Sequence, residues 1–441
     1  MDTELEIESL APSRKDTKAQ LAVLKQEKGR LGRQLSVARD SGGIPDELIR
    51  AMKVLSDEIK SLQKILKVQA SEADRTQKWA PGELSPPRAV ADKPVSGTIS
   101  VKVLENASRA SVQEYLDDHP ATSLWHSPGI LEFVKNTYSH PAFYLVAQEN
   151  SGRLVGLLPL IQIKSRLFGN FIVSMPYFNY GGVLADNAEV AEALVQGANK
   201  LRQQKSAQHV ELRPIRDTGL GLPQRTNKCV FWLPLPPKTD DLWASFKPKV
   251  RAQIRRGERE MTGFSVGGIE LLDDFYLVFS QNMRDLGTPV YGKAFFRNLL
   301  HQLPSQSWLV IVRIGDRPVG AAFLTGFRGR MEIPWASTLR RYSHTGINMA
   351  MYWQILKLAI DLGFEVFDYG RCSESAGTFK FKQQWGARRI DLHWDYVLKT
   401  GDQLPALNPE NPKYRLMIEV WRRLPLGVAN WLGPKVVRML P

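Results

Sequence analysis

The chain has 441 residues, 43% of them hydrophobic, and a formal net charge of +14 at pH 7. Its length implies two or three domains, and its composition is that of an ordinary globular protein rather than a fibrous or disordered one. The two cysteines, Cys229 and Cys372, are far apart and lack metal-ligand spacing. This argues against a disulfide scaffold, leaves no cysteine metal site and fits a reducing compartment. No apolar run approaches the roughly 18 residues of a membrane-spanning helix. The opening MDTELEIESL is acidic, without the basic-then-apolar layout of a signal peptide, so a cytoplasmic protein is expected. Residues 1–98 hold 17 Lys+Arg and 15 Asp+Glu, so most of the positive excess falls in residues 99–441. Such an excess favours anionic partners (phosphates, RNA or an anionic membrane face), although a basic soluble protein without a polyanion partner fits the same count.

In chain order, residues 1–17 show no periodic pattern and are expected to be disordered. Residues 18–68 read as an antiparallel coiled-coil hairpin. Apolar residues recur at Leu21, Leu24, Leu31, Leu35 and Ala38, then at Leu48, Met52, Leu55, Ile59, Leu62 and Leu66. The second set alternates four and three, the heptad seam. Gly42 and Gly43 permit the reversal, and Pro45 suits the start of the second arm. A dimerisation or protein-docking arm is the plain reading. Residues 69–98, polar and rich in proline, are expected to form a flexible linker.

Two stretches then follow one plan, expected to be domains at 99–240 and 241–402. FYLVAQENSGRLVGLLPLIQIK (143–164) is strand, turn, strand, and so is WLVIVRIGDRPVGAAFLTGFRG (308–329). In each half an amphipathic helix follows (188–204 and 347–362), then a strand (209–213 and 365–369). A repeated order of this kind is what a duplicated domain gives; two common hairpins coinciding is the alternative. Between the strands of the first half lies SMPYFNYGGVLAD (174–186). Its Gly181-Gly182 pair permits close backbone approach to a ligand, or a tight turn packed by aromatics.

Residues 242–260 place Lys247, Lys249, Arg251, Arg255 and Arg256 ahead of the first acid, Glu258, with Pro248 able to start a helix. A helix start with basic side chains is either a phosphate site or a solvated basic face. Further on, Gly287-Thr288-Pro289 ends the helix that carries Asn282, Arg284 and Asp285. The stretch FDYGRCSESAGTFKFKQQWGA (367–387) sets Lys382 among Phe379, Phe381 and Trp385, close to Asp368 and Arg371. A lysine in an apolar wall is paired, used in chemistry, or snorkels to solvent. Asp368 and Arg371, at a strand end beside the loop, could orient an amine or bind phosphate. The sequence suggests no Ser/His/Asp or Cys/His arrangement, and Cys372 has little to support a covalent role. Residues 403–441 form a basic amphipathic tail that either caps a core or lies on an anionic membrane.

Several of these stretches resemble the Fem-type (FemAB-like) transferases, which are built from two acetyltransferase-like (GNAT) domains. The carriers are the G-x-F-x-F-K-x-x-W-G-A run at 377–387, the K-x-R-x-x-I-R-R-x-E-R run at 249–259 and NMRDLGTPVY (282–291). NMRDLGTPVY above all, and with it PWAS (334–337), NMAMYW (348–353), FDYGR (367–371) and LHWDY (392–396), resembles in particular a subgroup associated with exosortase (PEP-CTERM) and exopolysaccharide gene clusters. The resemblance covers most of residues 120–441. It implies an α+β fold of two tandem GNAT-like domains behind the hairpin, and an acyl or aminoacyl transferase acting on an amino group of an envelope or exopolysaccharide precursor. It implies that Lys382 stabilises charge developing in the transition state, with Phe381 shaping the wall and Asp368 a second catalytic candidate. It also places Tyr180, Gly181 and Asp186 near the acceptor, Trp335 in the cleft, and Lys249, Arg251, Arg255, Arg284, Asp285 and Arg371 at the substrates.

Neither a metal nor a tightly bound cofactor is expected; acyl-CoA or aminoacyl-tRNA would serve as co-substrate. GNAT enzymes usually grip the CoA pyrophosphate with [QR]-x-x-G-x-[GA] before a helix. The matching place, Arg340–Asn348, has arginines and one glycine without that pattern, which weakens acyl-CoA and leaves aminoacyl-tRNA open. The partners expected are an amino-sugar or lipid-linked saccharide, tRNA, an anionic membrane face, and a second copy or another protein at the hairpin. The rival from another class is a non-catalytic scaffold of a polysaccharide assembly complex, which a pocket wall lacking Lys382 and Asp368 would favour. RNA binding ranks last, since no aromatic–basic RNA motif is present.

Overall fold

The computed structural model describes residues 14–40, 45–76, 84–104, 109–374, 376–405 and 412–440. It divides into two units, residues 1–80 and 81–441. In the first, α1 (Arg14–Asp40) packs along α2 (Asp46–Thr76), the hairpin that the heptads predict. Leu48, Met52, Leu55, Ile59 and Leu62 are among the covered positions of α2, and Leu21, Leu24, Leu31 and Leu35 among those of α1; the side chains of Ala38 and Leu66 lie outside the described residues. Of the stretch expected to be disordered, residues 1–13 lie outside the described residues.

The second unit begins with an extended segment from residue 84 and continues through β1 (Ser100–Val103), α3 (Arg109–Asp118), α4 (Pro128–Tyr138), β2 (Ala142–Gln148), β3 (Leu154–Ser165), β4 (Gly169–Val173), β5 (Leu184–Ala185), α5 (Ala188–Gln204), β6 (His209–Leu212) and β7 (Gln224–Pro234). Next come α6 (Thr239–Ser245), α7 (Pro248–Glu260), β8 (Gly263–Gly267), α8 (Leu272–Leu286), α9 (Lys293–Gln302), β9 (Ser307–Ile314), β10 (Arg317–Phe327), β11 (Arg330–Thr338), α10 (Ile347–Asp361), β12 (Val366–Ser373), α11 (Gly377–Gln383) and β13 (Arg388–Leu398). Two tail helices, α12 (Pro412–Arg423) and α13 (Leu426–Val437), complete the order.

Local chemistry sets the boundaries. The Asn187 side chain accepts from the Val190 amide at the start of α5, a cap worth about 1 kcal/mol. Pro248 opens α7 where an amide would have no partner. Gly287 ends α8 at φ 77°, a conformation open to glycine at little cost.

All strands join one sheet, in the order β1-β2-β3-β4-β6-β13-β7-β12-β11-β10-β9-β8, with β5 on β3. Each half contributes an antiparallel run and then one parallel pair, β4 beside β6 and β11 beside β12. The fold is two GNAT-like halves sharing a sheet. One core contains residues of α3, α4, α8 and α9 and runs through both halves, while α5 backs the first half and α7 and α10 back the second.

Two expectations need correction. The division at 240 is crossed by the sheet. β7, from the first stretch, pairs with β12 of the second, and β13 pairs with β6 of the first. Residues 84–98 are not a free linker either: Val90 bridges Ala185, and the amides of Ala91 and Lys93 donate to the carbonyls of Ala185 and Asp186. Their prolines disfavour helix and sheet interior, but an extended segment on a strand edge tolerates them.

Candidate functional site

β11 and β12 are paired only from Arg330↔Val366 to Glu332↔Asp368, and then part. Both strands bulge where they part. β11 carries an extra residue between Glu332 and Trp335, opposite Thr325 and Phe323, and contains Pro334 there. β12 carries one between Asp368 and Arg371, opposite Trp232 and Val230, with Gly370 at φ 68°. A bulge resets the alternation of side chains, so Glu332 and Trp335, three apart, share a face, as do Asp368 and Arg371.

The parting leaves the outer edge of β11 unpaired from Ile333 onward and opens a cleft of about 530 Å³. Ala336, Ser337 and Thr338 form one wall, and Gly346, Asn348, Met349 and Tyr352 at the start of α10 form another. Gln253 and Arg256 reach in from α7, His344 from the preceding loop, and Thr378, Phe381 and Lys382 from α11. Lys382 is only 6% exposed. Its ammonium donates to the carbonyls of Gly370 (2.7 Å) and Arg371 (3.1 Å), at the bulge where β12 has departed from β11. Burial pulls its pKa below the ordinary lysine value, against the nearby Cys372 and Asp368. An ammonium has three donors, so one remains for a ligand. Phe381 lies edge-on to Tyr352, with ring centroids 4.9 Å apart, and fixes that wall.

On the opposite face of β11 and β12 lies a second cluster. The Glu332 carboxylate accepts from Trp125 Nε1 (3.0 Å) and Asn179 Nδ2 (2.7 Å). Asp368 accepts from the Tyr180 hydroxyl (2.5 Å) and the Gly370 amide (2.8 Å). Arg330 lies over the rings of Trp232 (4.5 Å) and Tyr180 (5.4 Å). Both carboxylates are fully buried neighbours, and burial and then mutual repulsion push Glu332 up to about 8. Burial raises Asp368 as well, opposed by Arg330 and by its hydrogen bonds. The pair therefore holds a proton at neutral pH and ties the second half to Trp125, Asn179 and Tyr180 of the first.

The expected site residues thus separate. Lys382 and Phe381 line the cleft. Asp368 is buried behind β12, bonded to Tyr180. Tyr180 and Gly181 line another recess, of about 170 Å³, with Trp232 of β7 and with Arg330 and Val366 at the starting ends of β11 and β12. Trp335 is packed edge-on against Phe295, Phe296 and Phe323. Arg371 lies over the Trp394 ring at 4.7 Å, and Arg213 over the same ring at 4.4 Å. Asp186 is buried and ion-paired with Arg153 at 2.9 Å, and lines neither recess. Arg284 and Asp285 pair with each other, and Arg284 reaches the Leu424 carbonyl of the tail. On α7, Lys249 is exposed and Arg255 lies over Trp243; Arg251 is half-buried, and Arg256 is the basic residue of this helix that lines the cleft.

Sequence reasoning missed Glu332, Trp125, Asn179 and Arg330. Glu332 had one available signal, a carboxylate inside an otherwise apolar strand run (MEIPWA).

The acetyltransferase (GNAT) domain family matches residues 244–383, which include the cleft residues named above. No curated protein matches the chain. Among solved structures, the crystal structure of FemX superposes with a TM-score of 0.54 at 14% identity, covering 72% of this chain and 100% of that one. At that identity the likeness is one of fold, and the fold here is that of a Fem-like tandem GNAT protein. A tandem GNAT protein from the clavulanic acid biosynthesis pathway gives 0.45 at 11% identity, covering 69% of this chain and 100% of that one. L-PGS from Bacillus licheniformis gives 0.44 at 15% identity, covering 71% and 96%. Among the described residues no helix is long and apolar enough to cross a membrane, and no group of His, Cys, Asp and Glu could hold a metal ion.

Proposed function

We propose that this protein is an N-acyltransferase that moves an activated acyl or aminoacyl group to an amine, with the donor in the cleft between β11 and β12. One observation carries the reading: a buried ammonium, Lys382, anchored by two carbonyls at the parting of the strands, with its remaining donor available to the cleft. A thioester or aminoacyl ester is already activated, so the protein must align the amine, accept a proton and stabilise an oxyanion. Lys382 supplies the last of these, and the unpaired edge of β11 offers amides and carbonyls to an extended donor arm. Of the two expected catalytic residues, Lys382 lies on the cleft wall and Asp368 does not, so Asp368 is assigned to positioning β12. That split meets only half of the condition set for a scaffold, and the cleft favours the enzyme.

The donor is acyl-CoA or an aminoacyl-tRNA. Arg256 and His344 at the cleft are the groups that would meet its phosphates. The acceptor we propose is an amino group of an envelope or exopolysaccharide precursor, the class that the resemblance of residues 282–291 implies. The hairpin is proposed as the contact for a second copy or a protein partner. The test is transfer of labelled acetyl from acetyl-CoA, and of an aminoacyl group from charged tRNA, to amino-sugar acceptors. Lys382→Met is expected to lower kcat by at least a hundredfold with thermal unfolding of the folded protein retained. Undiminished turnover would remove Lys382 from the chemistry.

A further inference from the structure

We infer that the outward face of α12 and α13 is a docking surface for an anionic lipid bilayer. The inference is independent of the transferase reading.

The tail helices pack closely on α8 and on the segment before α9, within the second unit. Gly433 meets Val290 so closely that an added Cβ would lie 2.8 Å from its carbonyl oxygen, and a Cβ on Gly287 would lie 2.6 Å from Ile418. The Arg438 carbonyl accepts from the Tyr177 hydroxyl at 3.1 Å and lies 2.8 Å from His140 Nε2. On α13 the docked residues are Ala429, Gly433 and Val437. Helical geometry then turns Val428, Trp431, Lys435 and Arg438 outward together.

The outward residues are of one kind. Trp431 is 63% exposed and Val428 41%; on α12, Met417 and Val420 are 53% and 52% exposed. Leu167, 76% exposed, sits at the turn after β3, where the Ser165 hydroxyl lies 3.2 Å from Met439 Sδ. Scattered exposed apolar residues need no explanation, but a tryptophan and three aliphatic side chains left exposed on two consecutive short helices exceed that background. The charges of these helices are nearly all positive. Arg422, Arg423, Lys435 and Arg438 are exposed, α13 has no acidic residue, and the Glu419 carboxylate is held by Arg422 and Arg423. The Lys435 ammonium lies 3.5 Å from the centre of the Trp431 ring.

This is the chemistry of an interfacial helix. Tryptophan favours the headgroup layer, aliphatic side chains enter the acyl boundary, and cations meet anionic lipid. A bilayer needs no shape complementarity, and the positive charge of the patch commits the proposal to an anionic one.

The test is co-sedimentation of the full chain with vesicles of equimolar phosphatidylglycerol and phosphatidylcholine, and with vesicles of phosphatidylcholine alone. Binding to the anionic vesicles, weakened by salt and accompanied by a blue shift of tryptophan emission, supports the inference. The double variant Val428→Ser/Trp431→Ser, with both changes at exposed positions, should keep its thermal transition and partition at least tenfold less. Arg422→Gln and Arg423→Gln should each weaken partition about fivefold, the equivalent of roughly 1 kcal/mol per charge near the surface. Binding by the double variant equal to the parent overturns the proposal. So does binding to neither vesicle, or self-association of the free chain that the same double variant abolishes.

Discussion

Replacing Glu332 by glutamine removes one of two carboxylates that the fold buries side by side. Glutamine keeps the shape and an oxygen for Trp125 Nε1, and the Asn179 amide can turn to accept from it. What it removes is the need to hold a proton. In the folded chain Glu332 is pushed up to about 8, first by burial and then by Asp368, from an ordinary value of 4.5. Below pH 4.5 the group is protonated in both states and the contribution to stability is fully present. As pH rises above that value the unfolded chain ionises while the folded chain keeps its proton, so stability is lost until the folded group also ionises near pH 8. One proton held across this window corresponds to a slope of about 1.4 kcal/mol per pH unit, or roughly 4 kcal/mol between pH 5 and 8. Urea unfolding of the parent and of Glu332→Gln at half-unit intervals over this range measures it. The stability difference between the two should move in favour of the variant by several kcal/mol as pH rises. Parallel curves would refute the assignment of a shared proton to this pair. Asp368→Asn should flatten the parent's slope in the same direction, since the pair titrates as a unit.

Two further outcomes follow from close packing and burial. An added Cβ at Gly257 would lie 2.2 Å from the Gly346 carbonyl oxygen, where α7 crosses the start of α10. Gly257→Ala should therefore cost about 1–3 kcal/mol, as over-packing does, and raise the KM for the donor, because that crossing forms part of the cleft. Cys229 and Cys372 are both buried, and burial together with the neighbouring Cys372 pushes the Cys229 thiol up to about 12. Neither should react with an aromatic disulfide reagent in the native protein at pH 8, and both should react in urea; rapid native labelling would contradict the packing of β7 against β12.

The sequence made the local elements readable, and long-range pairing concealed the rest. The hairpin, the two strand–turn–strand units and α5 fall almost on their expected residues because hydrophobic periodicity and capping are local signals. The strand exchange leaves no local signal: β7 reads the same whether it pairs within its own stretch or with β12. The lysine at 382 stood out because an ammonium among three rings conflicts with burial, and the structure resolves that conflict with two carbonyls. Tyr180 and Asp368 were both singled out as belonging to one site. Their contact spans 188 positions, and it proved to be a structural bond between the halves rather than part of the cleft. Arg284 and Asp285 stood in a family-specific string, yet they satisfy each other and hold the tail.

The exchange of strands bears directly on the site. β12 carries the carbonyls that anchor Lys382, and β12 is flanked on one side by β11, from which it parts, and on the other by β7, which the first stretch of sequence supplies. Among the described residues, the strand that holds β12 past Asp368 is therefore β7. Its bulge, which allows Gly370 to turn its carbonyl toward Lys382, is defined against β7 alone. The carboxylate pair on the other face is hydrogen-bonded by Trp125, Asn179 and Tyr180, all from the first half. The second half supplies the cleft-lining groups, while the first half holds in register the strand on which they depend. In this fold a cleft that could be lined by one GNAT-like half requires both to keep its shape.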